Sequence, residues 1–247
     1  MRGCLLVLAL LGISAATGAT QDVRQEPPPY RGPATLVDGV FVTPISGVPF
    51  TATVSIESVQ TLPDGTVEKK HTLSLIARDA SGRIHNERRA LLAAGFNGMP
   101  PLISVHLFDP ATRVNDFYNP MTLICTERTL PPLPDAARAT NDPNAENLGV
   151  KTVSGLEATG TRVTRKIPAQ FSGTGQALEI TDETWYSEDL HMNLLEQHTD
   201  PRSGVQTVTL MSIQRVEPDA ALFTVPAGYK IGDMTPPAEA PVAQVRR

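Results

Sequence analysis

What most constrains this chain is a series of short segments in which apolar and polar residues alternate, each closed by turn residues. Residues 49–61 show it best: Ala52, Val54 and Ile56 fall on one side of an extended backbone and Thr53, Ser55 and Glu57 on the other, so one face packs and one meets water. Pro63, Asp64 and Gly65 then turn the chain, because proline presets the bend and glycine accepts a positive φ angle. A second strand is expected over 66–78, a turn over 79–82, and a charged strand over 83–91. The pattern continues through 102–108, a turn at Asp109 and Pro110, and strands near 113–118 and 121–127. Strands resume at Gly149, with 149–153 and 156–167 joined by Ser154 and Gly155, followed by 178–186, 191–198 and 205–216. No segment holds three turns of helical period, and residues 219–223 supply a short helix at most.

About ten strands with short connections predict a mainly β fold, a large curved antiparallel sheet or half-open β-barrel with short helical elements. The concave face of such a sheet has to be covered by a helix, a loop or a ligand, or it leaves apolar surface in water. Residues 131–147, rich in Pro, Asp, Asn and Ala and without period, read as a long loop suited to that cover. An apolar cavity of roughly 300 Å³ or more on that face favours a ligand, whereas a filled interior favours a scaffold.

The flanks suggest export. Residues 1–19 have the layout of a cleavable signal peptide: Arg2 at the start, an apolar run over 4–13, and small residues over 14–19. Ser14-Ala15-Ala16 and Thr17-Gly18-Ala19 both offer small residues to a signal peptidase, and cleavage is expected after Ala19. The apolar run is about ten residues where a bilayer span needs roughly 20, and no second one follows, so no transmembrane segment is expected after cleavage. Cys4 precedes the run, which argues against a lipid anchor through its thiol. The expected organisation is a signal peptide over 1–19, a disordered linker over 20–38, a single β-rich domain over 39–233 and a disordered tail over 234–247. The destination is the periplasm or the exterior.

Charge and cysteine content exclude other classes. The formal net charge is −5, or −6 once Arg2 is removed, and the basic residues are scattered, so nucleic acid is not an expected partner. Loss of Cys4 leaves Cys125 as the one thiol, which rules out an internal disulfide. Cys125 ends the apolar run that starts at Met121 and is expected to be buried and unreactive.

Residues that could carry chemistry are few. His85 and Glu87 alternate on one face of a strand and could share a metal with a third ligand; none is identifiable, so a solvated charged face is expected and no metal. Arg83, Arg88 and Arg89 are balanced by Asp79 and Glu87, so the strand again reads as solvated. His191 and His198 bracket a strand at odd spacing, on opposite faces, and His71 and His106 are isolated. There is no G-x-S-x-G elbow and no G-x-x-x-x-G-K loop, and Gly173-Thr174-Gly175 reads as a flexible crossing. No catalytic residue, no cofactor and no enzymatic activity are expected. Trp185 is expected as a packed sheet residue, with a pocket aromatic as the lesser reading.

Residues 217–230, Glu-Pro-Asp-Ala-Ala-Leu-Phe-Thr-Val-Pro-Ala-Gly-Tyr-Lys, carry a family resemblance. They resemble the end of outer-membrane lipoprotein-carrier-like domains, in which a final strand is followed by a Pro, a Phe and a Pro-x-Gly-Tyr pattern. A wider stretch, 148–229, looks like uncharacterised exported proteins of soil bacteria, including the residues from Leu148 to Thr161 and Glu183-Thr184-Trp185. The resemblance implies an open β-barrel able to hold an acyl chain, and no catalytic residue. Phe223 and Tyr229 would pack beneath the sheet while Gly228 turns the chain. Two functional expectations follow: an exported envelope protein binding a lipid or other apolar ligand on the concave face, its ligand-binding residues unassigned, or an envelope structural or protein-interaction domain without a small-molecule ligand.

Overall fold

The computed structural model describes residues 40–131 and 144–234. The signal peptide, its cleavage point after Ala19 and the linker lie outside the described residues, as do 132–143 of the expected covering loop and the tail beyond 234.

The described chain forms a 13-stranded sheet. Its strands are β1 (Phe50–Thr61), β2 (Val67–Arg78), β3 (Ile84–Arg89), β4 (Leu92–Ala93), β5 (Leu102–Asp109), β6 (Val114–Asn119), β7 (Ile124–Thr129), β8 (Glu146–Val153), β9 (Leu156–Ile167), β10 (Leu178–Ser187), β11 (Met192–Asp200), β12 (Gly204–Gln214) and β13 (Lys230–Asp233). The spatial order is β13-β7-β6-β5-β3-β2-β1-β12-β11-β10-β9-β8, with the short β4 on β2. Two meanders are therefore zipped together where β1 meets β12, and the sheet is not closed into a barrel. Helical structure among the described residues is limited to 3₁₀ turns at Ala169–Phe171 and Ala220–Phe223.

Alternation in β1 places the core as expected. Register sets Phe50, Ala52, Val54 and Ile56 beside Arg78, Ile76, Ser74 and Thr72 of β2, and Val54 and Ile56 beside Leu210 and Val208 of β12. Phe50, Val54, Ile76 and Leu210 are fully buried on this face. The sheet rolls toward it. Arg78 Nη2 donates to Leu190 O in the β10–β11 turn at 2.9 Å, although β1 and β12 lie between β2 and β11, a separation of about 14 Å at the usual strand spacing of about 4.8 Å if the sheet were flat. The face bearing Val54 is the concave one, and residues 40–48 lie across it as a strap, with Val40 and Val42 buried.

On the convex face Val105, Leu107, Tyr118 and Cys125 form a second cluster, packed against Leu102, Val225 and Tyr229. The C-terminal segment covers it as the resemblance implies. Phe223 is buried under the Arg83 guanidinium, Tyr229 meets Tyr118 edge-on at 5.0 Å, and Gly228 takes φ +94°.

Several expectations need correction. The chain then adds β13, which runs parallel to β7 and so departs from an all-antiparallel sheet; its four residues lack a visible alternation. β4 has two residues, too few to show any period. The expected strand at Met121 starts only at Ile124, because the Asn119 carboxamide accepts from the Met121 and Thr122 amides and holds a turn there. At the other end of the expected loop, Glu146 and Asn147 already pair with β9.

Candidate functional site

The concave face carries two hollows of opposite character. The first, about 240 Å³, lies between the strap and the β3–β5 half of the sheet, lined by Val40, Phe41, Val42, Pro44, Ile84 and Phe108, among others. Asn86 Nδ2 fixes one wall by donating to Val40 O at 2.9 Å. Phe41 is 76% exposed at the rim. His106 stacks on the half-exposed Phe117 at 4.4 Å, its basicity lowered by burial despite a hydrogen bond with Asn115. The hollow falls short of roughly 300 Å³ because Phe50, Leu190, Leu194 and Leu210 fill the centre of the same face.

The strap is lashed down by a residue that reads in sequence as an ordinary strand-end charge. Arg78 is fully buried and donates to Val48 O at 2.9 Å, Thr43 O at 2.7 Å and Leu190 O at 2.9 Å, with its guanidinium over the Phe50 ring. Burial pushes its pKa down to about 10, low for an arginine but still cationic at neutral pH.

The second hollow, about 320 Å³, lies over β9 to β12. Register puts Arg165, Asp182, Thr184, Glu196, His198, Gln206 and Val208 on the concave side there. His198 Nδ1 lies 2.6 Å from one Asp182 oxygen and Arg165 Nη2 lies 2.7 Å from the other. Sequence spacing sets His198 only against His191, on the opposite face; its carboxylate sits on the neighbouring strand, which spacing along one strand cannot reveal. His191 is not its counterpart across a strand, since it occupies the preceding turn at φ 53°.

The charged strand β3 is solvated at Arg88 but covered at His85 and Glu87. His85 is buried with Nδ1 at 2.7 Å from Leu222 O, and Glu87 accepts from Arg89 at 2.8 Å and from the Leu75 amide at 3.1 Å. The C-terminal segment and β2 cover these side chains, and Asp79 takes Arg83 at 2.6 Å. The His85 ring stands 3.9 Å from Glu87, and among the described residues no group of three candidate ligands could hold a metal. Cys125 is buried as expected, its thiol pushed up to about 11 by burial and then by the Asp116 and Glu127 charges. Trp185 is a packed sheet residue, 8% exposed, lying against Gly160 with Lys151 Nζ 3.6 Å above its ring.

No family model and no curated protein matches the sequence. Among solved structures, an uncharacterized conserved protein of Thermus thermophilus is similar at TM-score 0.41 and 11% identity over 75% of this chain and 90% of its own. The MucA/MucB complex of Pseudomonas aeruginosa is similar at TM-score 0.39 and 13% identity over 74% of this chain, which spans 58% of that one. A LolA superfamily protein of Nitrosomonas europaea is similar at TM-score 0.30 and 11% identity, over 72% of this chain and 90% of its own. The last of these carries in its name the carrier superfamily that the C-terminal residues resemble. At such scores no ligand or partner carries over. Among the described residues no helix is long and apolar enough to cross a membrane.

Proposed function

We propose that the chain is an exported envelope protein that holds one apolar chain, of the acyl class, against its concave face between the strap and β3–β5. The observation that carries this reading is the apolar hollow with Phe41, 76% exposed, at its mouth: an occupant would bury that ring and the lining together. A hollow of about 240 Å³ suits a segment of one chain, not a whole lipid. Native mass spectrometry after gentle purification, with displacement of a fluorescent fatty acid, tests it. The expected result is a bound acyl ligand and displacement weakened about tenfold by Phe41→Asp, since burying such a side chain is worth about 1.5–3 kcal/mol. A ligand-free protein that displaces nothing would sink the reading. Export predicts that protein recovered from a secreting host begins at Thr20, after cleavage at Ala19.

The second reading, an envelope interaction domain, draws on the two edges of the open sheet. Every residue of β13 is exposed, and on β8 Val150 is 60% exposed, so both present backbone to a partner strand. It expects cross-linking in intact cells to trap one defined partner at β8 or β13, with the hollow empty.

A further inference from the structure

The hollow over β9 to β12 shares no lining residue with the apolar one and plays no part in the reading above. We infer that it is a binding site for a neutral polyhydroxylated ligand, a sugar or cyclic polyol presenting vicinal hydroxyls.

Gln206 points to this. It is 8% exposed, its side chain faces the hollow from β12, and that side chain forms no hydrogen bond among the described residues. Its amide opens into the hollow without a protein partner and offers a donor and an acceptor side by side, the complement of two adjacent hydroxyls. Its neighbours complete the set. Asp182 can only accept while ionised, so His198 donates to it through Nδ1, which leaves Nε2 as the ring's second polar atom. Glu196 takes the Asn193 amide on Oε1 and keeps Oε2. Arg165 uses Nη2 on Asp182 and keeps further donors. Val208 supplies an apolar floor.

Charge balance selects against ions. Arg165 compensates Asp182, and Arg162 compensates Glu183 at 2.7 Å, leaving Glu196 as the one carboxylate of the hollow without a cation among the described residues. An anionic ligand would face the carboxylates of Asp182 and Glu196, and an ammonium would meet a single uncompensated carboxylate beside a guanidinium. A neutral polyol engages the mixed donors and acceptors without altering that balance. The volume, about 320 Å³, lies in the range of small-molecule sites, which begins at about 300 Å³.

The test is ligand-observed saturation-transfer NMR on the full chain lacking residues 1–19, with glucose, mannose, galactose and myo-inositol, and with ethanolamine and inorganic phosphate as charged comparators. At least one polyol is expected to bind, the comparators not. Gln206→Leu, matched in size, should weaken that polyol about tenfold, as should Glu196→Gln, the latter a half-exposed position whose substitution spares the fold. Circular dichroism checks both variants. Absence of polyol binding, binding of ethanolamine or phosphate alone, or polyol affinity unchanged in both folded variants would overturn the assignment. None of these outcomes bears on displacement of the fatty acid.

Discussion

Trp185 lies flat against β9 because the residue opposite it in register has no side chain. A Cβ built on Gly160 would come within 2.6 Å of Trp185 Cζ3 and 2.7 Å of Cη2, closer than packed carbon atoms approach. Valine there has to push the ring off its seat. Gly160→Val is expected to cost about 1–3 kcal/mol, the usual range for overpacking, and to red-shift the emission of the one tryptophan as water reaches it. Urea unfolding followed by fluorescence checks both, and an unchanged midpoint with unchanged emission would contradict the packing. The burial of Trp185 was legible in sequence, since an aromatic in an alternating strand mostly packs. The demand on Gly160 was not, because it comes from pairing between residues 25 positions apart, and local pattern says nothing about register.

At the scale of elements, the strands were legible and what crosses them was not. Alternation and turn residues located β1, β2, β5 and β9 to β12 to within a few residues, because each carries its own signal in a half-buried strand. The strap has no such period. Its place depends on Arg78, and a lone arginine at a strand end gives no sign of burial. Arg78→Met removes three donors to the carbonyls of Thr43, Val48 and Leu190, each worth about 1 kcal/mol net, for a loss of about 3 kcal/mol. Part of it returns, since the cation is held at a cost that lowers its pKa to about 10. The expected signature is local: the Gly47 amide, bonded to Ala80 O at 2.9 Å, should exchange with deuterium faster while amides in the centre of β1 and β12 keep their protection. Exchange at Gly47 as slow as in the parent chain would show that the strap does not need Arg78.

For the whole molecule, the two faces divide the work: the concave one carries both hollows, and the convex one buries charge under the C-terminal segment. The second division was invisible in sequence because β3 looks solvated until the segment more than 100 residues later folds over it. It has a consequence for acid stability. Burial pushes the Glu87 carboxyl upward, but the His85 ring, Arg89 and the Leu75 amide outweigh it and hold the pKa at about 2. For Asp79, burial is likewise outweighed, by Ser81 and Arg83, and the shift is downward. A carboxyl whose folded pKa lies below its unfolded value stabilises the fold fully above the unfolded pKa, and that contribution is lost as pH falls through the folded one. For Glu87 the window runs from about 4.5 down to about 2, worth about 3 kcal/mol at 1.36 kcal/mol per unit. Asp116 works in the opposite sense: burial and then the Glu127 charge raise its pKa, so its protonation on acidification favours the fold and offsets part of the loss. Urea midpoints at pH 7, 4.5, 3 and 2 should therefore fall steeply over the last three points. Glu87→Gln should start lower at pH 7 by up to about 3 kcal/mol, having lost the charge beside Arg89, and then fall less on the way to pH 2. If the variant instead tracks the parent chain in parallel across that window, the acid limb belongs to other carboxyls and the buried pair on β3 is not its source.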